Sequence, residues 1–515
     1  MLFLNNRLNL VHFIRGSEPR DRALDLALPV QKQIALMQKY RLPGTFLLQY
    51  NALEREDIIT LLRDLDPGQF ELGIWLEMCQ THALAAGLPW RGRPGMDWDW
   101  RAYAGFSVGY APAEREALID AVFQKFRQVF GREAQVIGSW MIDSHSLSYL
   151  ESHYAIAAAC ICKDQWGTDG YTLWGGYWNQ AYYPSRKNAF APAQQRAAQI
   201  SIPVFRMLGS DPVVQYDMGL RLDEGAPHRQ QVASLEPVYP LSGGNEAWVQ
   251  WFMAQNFSSA ALGFSYAQAG QENSFGWPRM GPGLEMQLPL FAAWRREGRL
   301  QVEPLGETGR WFRRQYALTP PTSVCALAPF GQRQAQSIWF DCKAYRLNLY
   351  GDASGIRIRD LFCFDQDYPE RYLAAPCQTD AFIYDNLPIM DGNRMSGRGV
   401  LAGGWLTDTE GQPLAPAAMT AIPQNENRLL VSWPGQMLVL TESSITLRGS
   451  GCLLLRWLPE ASAFTGWEPH ALRFSHHGHA YFLAVSGFVM QTKKGLLLCP
   501  DENGLLRLTP RRQGE

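Results

Sequence analysis

Short apolar runs alternate with stretches of helical periodicity along the first half of the chain, in a unit of about 30 residues, and few folds accept that alternation. Residues 11–16 (VHFIRG) form the first run and end at Arg15. A helix follows over 31–40, with Ile34, Leu36 and Met37 on one face. Residues 43–50 form the second run, ending at Gln49 and Asn51, and 54–65 are helical until Asp66, Pro67 and Gly68 stop them. The third run, 70–78 (FELGIWLEM), carries Glu77. Residues 136–142 and 157–162 are further runs, ending at Asp143-Ser144 and at Lys163-Asp164-Gln165, with a helix between them marked by Leu147, Leu150 and Tyr154. Runs at 200–208, at 233–239 carrying Glu236, and at 261–266 leading to Glu272 bring the count to seven or eight. The expectation is an α/β fold, a (β/α)7–8 barrel, complete or distorted, over residues 1–281.

The texture then changes. Residues 282–320 read as an Arg-rich helical bridge. From 321 to 515, strand runs such as SIWFDC, YRLNLYG and CLLLRW are broken by Gly, Pro, Asp and Asn, the pattern of an all-β sandwich.

Composition narrows the function. A net charge of −2 with 19% charged residues offers no electrostatic footprint for nucleic acid or an anionic membrane. No apolar run is long enough to span a bilayer, and the opening residues MLFLNNRLNLVHFIRG lack a signal-peptide pattern, so a cytoplasmic location is expected. The nine cysteines, odd in number and set mostly in apolar runs, read as buried free thiols in a reducing compartment rather than as a disulfide framework. No GxGxxG or P-loop spacing occurs, so no nucleotide cofactor is implied. With 18 Trp and 20 Tyr, several in Gly-rich loops, the chain has the amphipathic rings that stack on sugar faces.

Two fragments resemble the glycoside hydrolase/deacetylase barrel superfamily. Thr45-Phe46-Leu47 is similar to its second-strand ATFF motif, and Glu71-Leu72-Gly73-Ile74-Trp75 to its EIGxH motif. The metal ligands of the deacetylases do not carry over: the first strand ends in FIRG without the Asp, and Trp75 stands where a His would be. The longer words IDS, CKDQWGTDGYTLWGGYW, YYPSRKN, LEPVY and GQENSFGW resemble a group of bacterial proteins described provisionally as glycoside hydrolases with an appended β-domain. The resemblance implies an oligosaccharide or glycoside substrate, and the missing ligand set leaves no metal or other cofactor expected.

Glycosidic cleavage generally uses two carboxyl groups facing each other across the bond. Asp143, after the fourth strand, is either one of them or the N-cap of the helix that follows. Glu236 and Glu272 compete for the acid. Arg15, Glu77, Trp75, Asp164, Gln165, Asp169, Trp174 and Arg186 are candidates for substrate binding, and Trp178 and Tyr182 are further stacking platforms. The bland alternatives are ion pairs, turn chemistry and loop packing. His476, His477 and His479 (SHHGH) read as an exposed turn rather than a metal site. The rival functions are a metal-dependent deacetylase and a non-catalytic carbohydrate-binding protein.

Overall fold

The computed structural model describes residues 5–168, 171–219, 232–384, 386–397 and 399–512. Seven parallel strands build the N-terminal sheet: β1 (Asn6–Ile14), β2 (Gly44–Leu48), β3 (Phe70–Trp75), β4 (Val136–Gly138), β5 (Ala158–Ile161), β6 (Val204–Arg206) and β7 (Ser265–Ala269). Their order is β7-β1-β2-β3-β4-β5-β6, and Ala181–Tyr182 adds an antiparallel pair beyond β6. The β6 and β7 edges are bridged by side chains, with the Phe205 and Tyr266 rings 4.9 Å apart. The result is a nearly closed barrel of eight strands. Every residue of β1 and β2 is buried, as strands covered on both faces must be.

The helix Pro112–Phe130 shows how local chemistry fixes the scaffold. It starts with proline at its first position, and the Glu114 carboxylate accepts from the Ala111 N–H at 2.7 Å. It stops at Gly131, whose φ of 68° suits a residue without Cβ. Its buried face consists of Leu118, Ile119, Val122, Phe123 and Phe126, with Arg115 among them.

Two corrections concern single elements. Residues 233–239 are not a barrel strand: only Ser234 bridges to Ser210, and the chain then turns through Tyr239 to Gly243. Pro237 removes a backbone donor that a ladder would need, and Pro240 follows directly after the run. Within 282–320, two helices, Trp277–Arg296 and Leu305–Gln315, flank a short strand, Gln301–Val302, that pairs with β1.

Beyond Thr322 two large antiparallel sheets follow. A nine-stranded sheet runs from Thr322–Ala326 to Phe488–Thr492, and an eight-stranded sheet from Thr420–Asn425 to Phe464–Glu468. Leu347, Leu349 and Ile358 of the first share one core with Val431, Leu440, Leu447 and Leu472 of the second. The aromatic barrel loop is tied to this region: Phe382–Ile383 pairs with Tyr171–Leu173, and Trp178 stacks on Trp339 with ring centroids 4.2 Å apart.

The cysteine reading is corrected in part. Seven cysteines are free and buried, but Cys452 and Cys499 form a disulfide. The strands Cys452–Arg456 and Gly495–Cys499 pair with Leu453 opposite Leu498, which sets the two cysteines face to face with their Cα atoms 4.5 Å apart. Such bonds persist in oxidising surroundings, so the cysteines do not argue for a reducing compartment. Replacing both by serine is expected to cost about 2–4 kcal/mol. The check is a urea midpoint for wild type and variant, with the gap closing when reductant is added. Among the described residues no helix is long and apolar enough to cross a membrane.

Candidate active site

The C-terminal ends of the barrel strands converge on one rim, where parallel barrels build their chemistry. Arg15 follows β1, Gln49 follows β2, Glu77 lies just past β3, Lys163 just past β5, and Glu272 just past β7. Gly270, at a φ of 118°, lets the chain leave β7 close beside β1, since a Cβ there would run into the Val11 carbonyl oxygen.

Arg15 is the hub. Its Nε and Nη2 donate to Glu77 Oε2 and Oε1 at 2.8 and 3.0 Å, a two-pronged pairing. Its Nη1 lies 3.0 Å from Glu272 Oε1 and donates to Ser274 Oγ at 2.9 Å. Ser274 Oγ in turn donates to Glu272 Oε1. Gln49 Nε2 and Trp75 Nε1 each donate to Glu77 Oε2 at 3.2 Å. The guanidinium also lies 4.1 Å from the Trp98 ring centroid. Burial alone would lower the Arg15 pKa, but the charges of Glu272 and Glu77 more than offset it, so this cation is locked in its charged form.

A second pair shares the rim. Lys163 Nζ donates to Glu236 Oε2 at 2.6 Å, and Ser234 Oγ donates to the same oxygen at 2.7 Å. The Tyr239 hydroxyl pKa is raised by the charge of Glu236, by burial and by the charge of Glu272. The expected residues Arg15, Glu77, Trp75, Glu236 and Glu272 therefore gather at the rim, with Gln49, Lys163, Trp98 and Tyr239 in addition.

Asp143 is elsewhere. It is fully buried and caps the helix Ser144–His153, accepting from the Ser146 N–H at 2.8 Å. It also accepts from Ser107 Oγ at 2.6 Å and pairs with Arg115 Nη1 at 3.0 Å. Burial would raise its pKa, yet Arg115 and these hydrogen bonds hold it below the ordinary carboxylate range. None of its contacts involves Glu236 or Glu272, so the capping alternative describes it and the catalytic expectation is corrected.

The aromatic loop is likewise structural. Asp164 sits between Arg206 Nη2 at 2.9 Å and Arg346 Nη1 at 2.7 Å, and Arg346 also grips Asp360. These buried charges fasten the barrel to the nine-stranded sheet. Gln165 is buried and donates to Cys162 Sγ. Trp174 is buried and donates to Asp391 Oδ2 at 3.1 Å, while Trp178 and Tyr182 are buried in packing, so none of the three offers an open stacking face. Arg186 is half exposed and pairs with Glu151 at 2.7 Å. Asp169 lies outside the described residues. Among the described residues, no group of three or more His, Cys, Asp and Glu is arranged to hold a metal ion.

A crystal structure from Parabacteroides distasonis, described provisionally as a glycoside hydrolase/deacetylase, aligns with a TM-score of 0.50 at 14% identity over 74% of this chain and 88% of that one. The chain shares the fold of glycoside hydrolase/deacetylase-type barrel proteins. A Mycobacterium smegmatis protein described provisionally as a polysaccharide deacetylase aligns at TM-score 0.37 and 9% identity, over 60% of this chain and 90% of that one. A Thermotoga maritima α-amylase aligns at TM-score 0.31 and 8% identity, over 59% and 74%. No protein-family model matches the sequence, and no curated protein matches it.

Proposed function

We propose that this protein is a carbohydrate-active hydrolase that cleaves a glycosidic bond at the C-terminal mouth of the barrel, with Glu272 and Glu236 as the acting carboxyl pair. The observation that carries this reading is that Glu272, paired with Arg15, and Glu236, paired with Lys163, are both held by cations that follow strands β1 and β5 at the same end of the barrel. Two acids that act on one bond must face a common space. Glu272, held by the fixed charge of Arg15, is suited to act as nucleophile or base. Glu236 takes the acid role by passing a carboxyl proton to the leaving oxygen, and Lys163 Nζ, 2.6 Å away, is placed to return a proton to it. Glu77, saturated by Arg15, Gln49 and Trp75, serves to hold Arg15 in place.

The reading is metal-independent because a guanidinium already lies between Glu77 and Glu272. A fixed positive charge there neutralises the two oxygen donors a hard cation would want and repels the cation itself. The test is hydrolysis of a panel of aryl glycosides and reduced oligosaccharides before and after exhaustive chelation. Turnover that persists through chelation is the expected result. Release of acetate from acetylated oligosaccharides, with a divalent-ion requirement and no glycosidic cleavage, would overturn the proposal.

A further inference from the structure

Two buried side chains beside Glu236 have hydrogen-bonding capacity that the protein does not use. Asn179 is 2% exposed and Ser210 is fully buried. Asn179 Oδ1 accepts from the Ser210 N–H at 3.2 Å, which fixes the carboxamide and turns its Nδ2 the other way. Among the described residues, neither Asn179 Nδ2 nor Ser210 Oγ has a hydrogen-bond partner. A buried polar group left unmatched costs stability, so a fold that keeps two of them side by side points to a ligand that matches them.

Both are aimed at the acid. Ser210 and Ser234 form an antiparallel bridge, closed on one side by the Asp211 N–H bond to the Ala233 carbonyl at 2.9 Å and on the other by the Leu235 N–H bond to the Gly209 carbonyl at 3.0 Å. Directly opposed residues of such a pair project on one face, with Cβ atoms about 4.5–5.5 Å apart. On that face Ser234 Oγ donates to Glu236 Oε2 at 2.7 Å, and Lys163 Nζ donates to the same oxygen at 2.6 Å. The Ser210 hydroxyl thus stands one cross-strand pair from the hydroxyl that Glu236 accepts from, and the Asn179 amide is bonded to the Ser210 backbone. Asn179 comes from the segment leading into Ala181–Tyr182, at a φ of 51° that asparagine tolerates better than most residues.

We infer that Asn179 and Ser210 form the subsite for a leaving-group sugar, donating hydrogen bonds to its hydroxyls while Glu236 passes its proton to the oxygen of the breaking C–O bond. The inference rests on the reading of the barrel mouth and goes beyond it by assigning the leaving group: a sugar with free hydroxyls rather than an apolar aglycone. An acid must come within hydrogen-bond reach of the departing oxygen, so donors held beside the acid meet the group attached to that oxygen. A site built on such donors penalises a leaving group without hydroxyls, because the donors then stay buried and unpaired.

The experiment compares kcat/KM on nitrophenyl glycosides and on the matching disaccharides, in gluco, galacto, manno and xylo configuration, for wild type, Ser210→Ala and Asn179→Gly. Each matched pair carries the same sugar on the Glu272 side and differs in the leaving group. The ratio of disaccharide to aryl glycoside kcat/KM is expected to fall about tenfold in each variant. Ser210→Ala removes a hydroxyl without a partner among the described residues, so its thermal midpoint should not drop, and it decides alone if Asn179→Gly folds poorly. A ratio that stays constant in Ser210→Ala, or a wild type that cleaves the aryl glycosides alone, would overturn the inference and leave the barrel reading in place. A wild type that cleaves neither class would overturn both.

Discussion

Glu272→Gln is expected to lower kcat/KM about a thousandfold whatever the leaving group, while Glu236→Gln loses as much only on substrates whose leaving group is poor. An acid matters when the departing oxygen needs a proton, so a dinitrophenyl glycoside should restore much of the activity of Glu236→Gln. The nucleophile or base is needed in every case. Neither variant should unfold. Arg15 keeps both bonds to Glu77 when residue 272 is neutral, and in Glu236→Gln the side-chain amide oxygen still accepts from Lys163. The measurement is kcat/KM across aryl glycosides of graded leaving-group acidity, with thermal midpoints as the control for folding. A flat loss in Glu236→Gln across that series would remove Glu236 from the acid role.

The same geometry explains which parts of the site were legible in the sequence. Arg15, Glu77 and Glu272 each follow an apolar run, and a parallel barrel sends the ends of those runs to one mouth, so periodicity alone was enough to bring them together. Lys163 also stands at a strand end, but its partner lies 73 residues away in an irregular turn. Reading 233–239 as a strand still put Glu236 near the rim, while missing that Pro237 interrupts the ladder. Asp143 misled because one position suits both capping and catalysis. What decides between them is Arg115, a buried arginine on the apolar face of a helix 28 residues earlier, which a hydrophobic pattern reports only as an interruption.

The aromatic loop failed for another reason. Trp174 and Trp178 look like sugar platforms in a Gly-rich segment, but a tryptophan count says nothing about which surface lies opposite, and here it is the sheet carrying Val324, Trp339 and Phe362. The Cys452–Cys499 pair depends on a strand register across 47 residues, and no spacing rule reaches that far. Long-range pairing, rather than element identity, is what the local sequence withheld.

That distinction gives a second large effect. Arg115→Met is expected to destabilise the fold by about 3–5 kcal/mol at neutral pH, because it leaves Asp143 buried without its counter-charge. The size of the loss should depend on pH through Asp143, beside Glu370, whose oxygens accept from the Ser144 and Ala189 N–H groups. Burial and the Asp143 charge push Glu370 from 4.5 up to about 7. Between those values the native chain holds a proton that the unfolded chain has released, so the contribution of Glu370 to stability is full below about 4.5 and is lost as pH rises to about 7. Asp143 runs the other way in the wild type: Arg115 depresses its pKa, and the stability it contributes is lost only as pH falls. Removing Arg115 leaves burial to dominate, Asp143 joins Glu370 in taking up protons, and acid should then favour the variant. Thermal midpoints of wild type and Arg115→Met should differ most near pH 8 and converge toward pH 5. A gap that stays constant over that range would mean the Arg115 side chain matters for its packing volume alone.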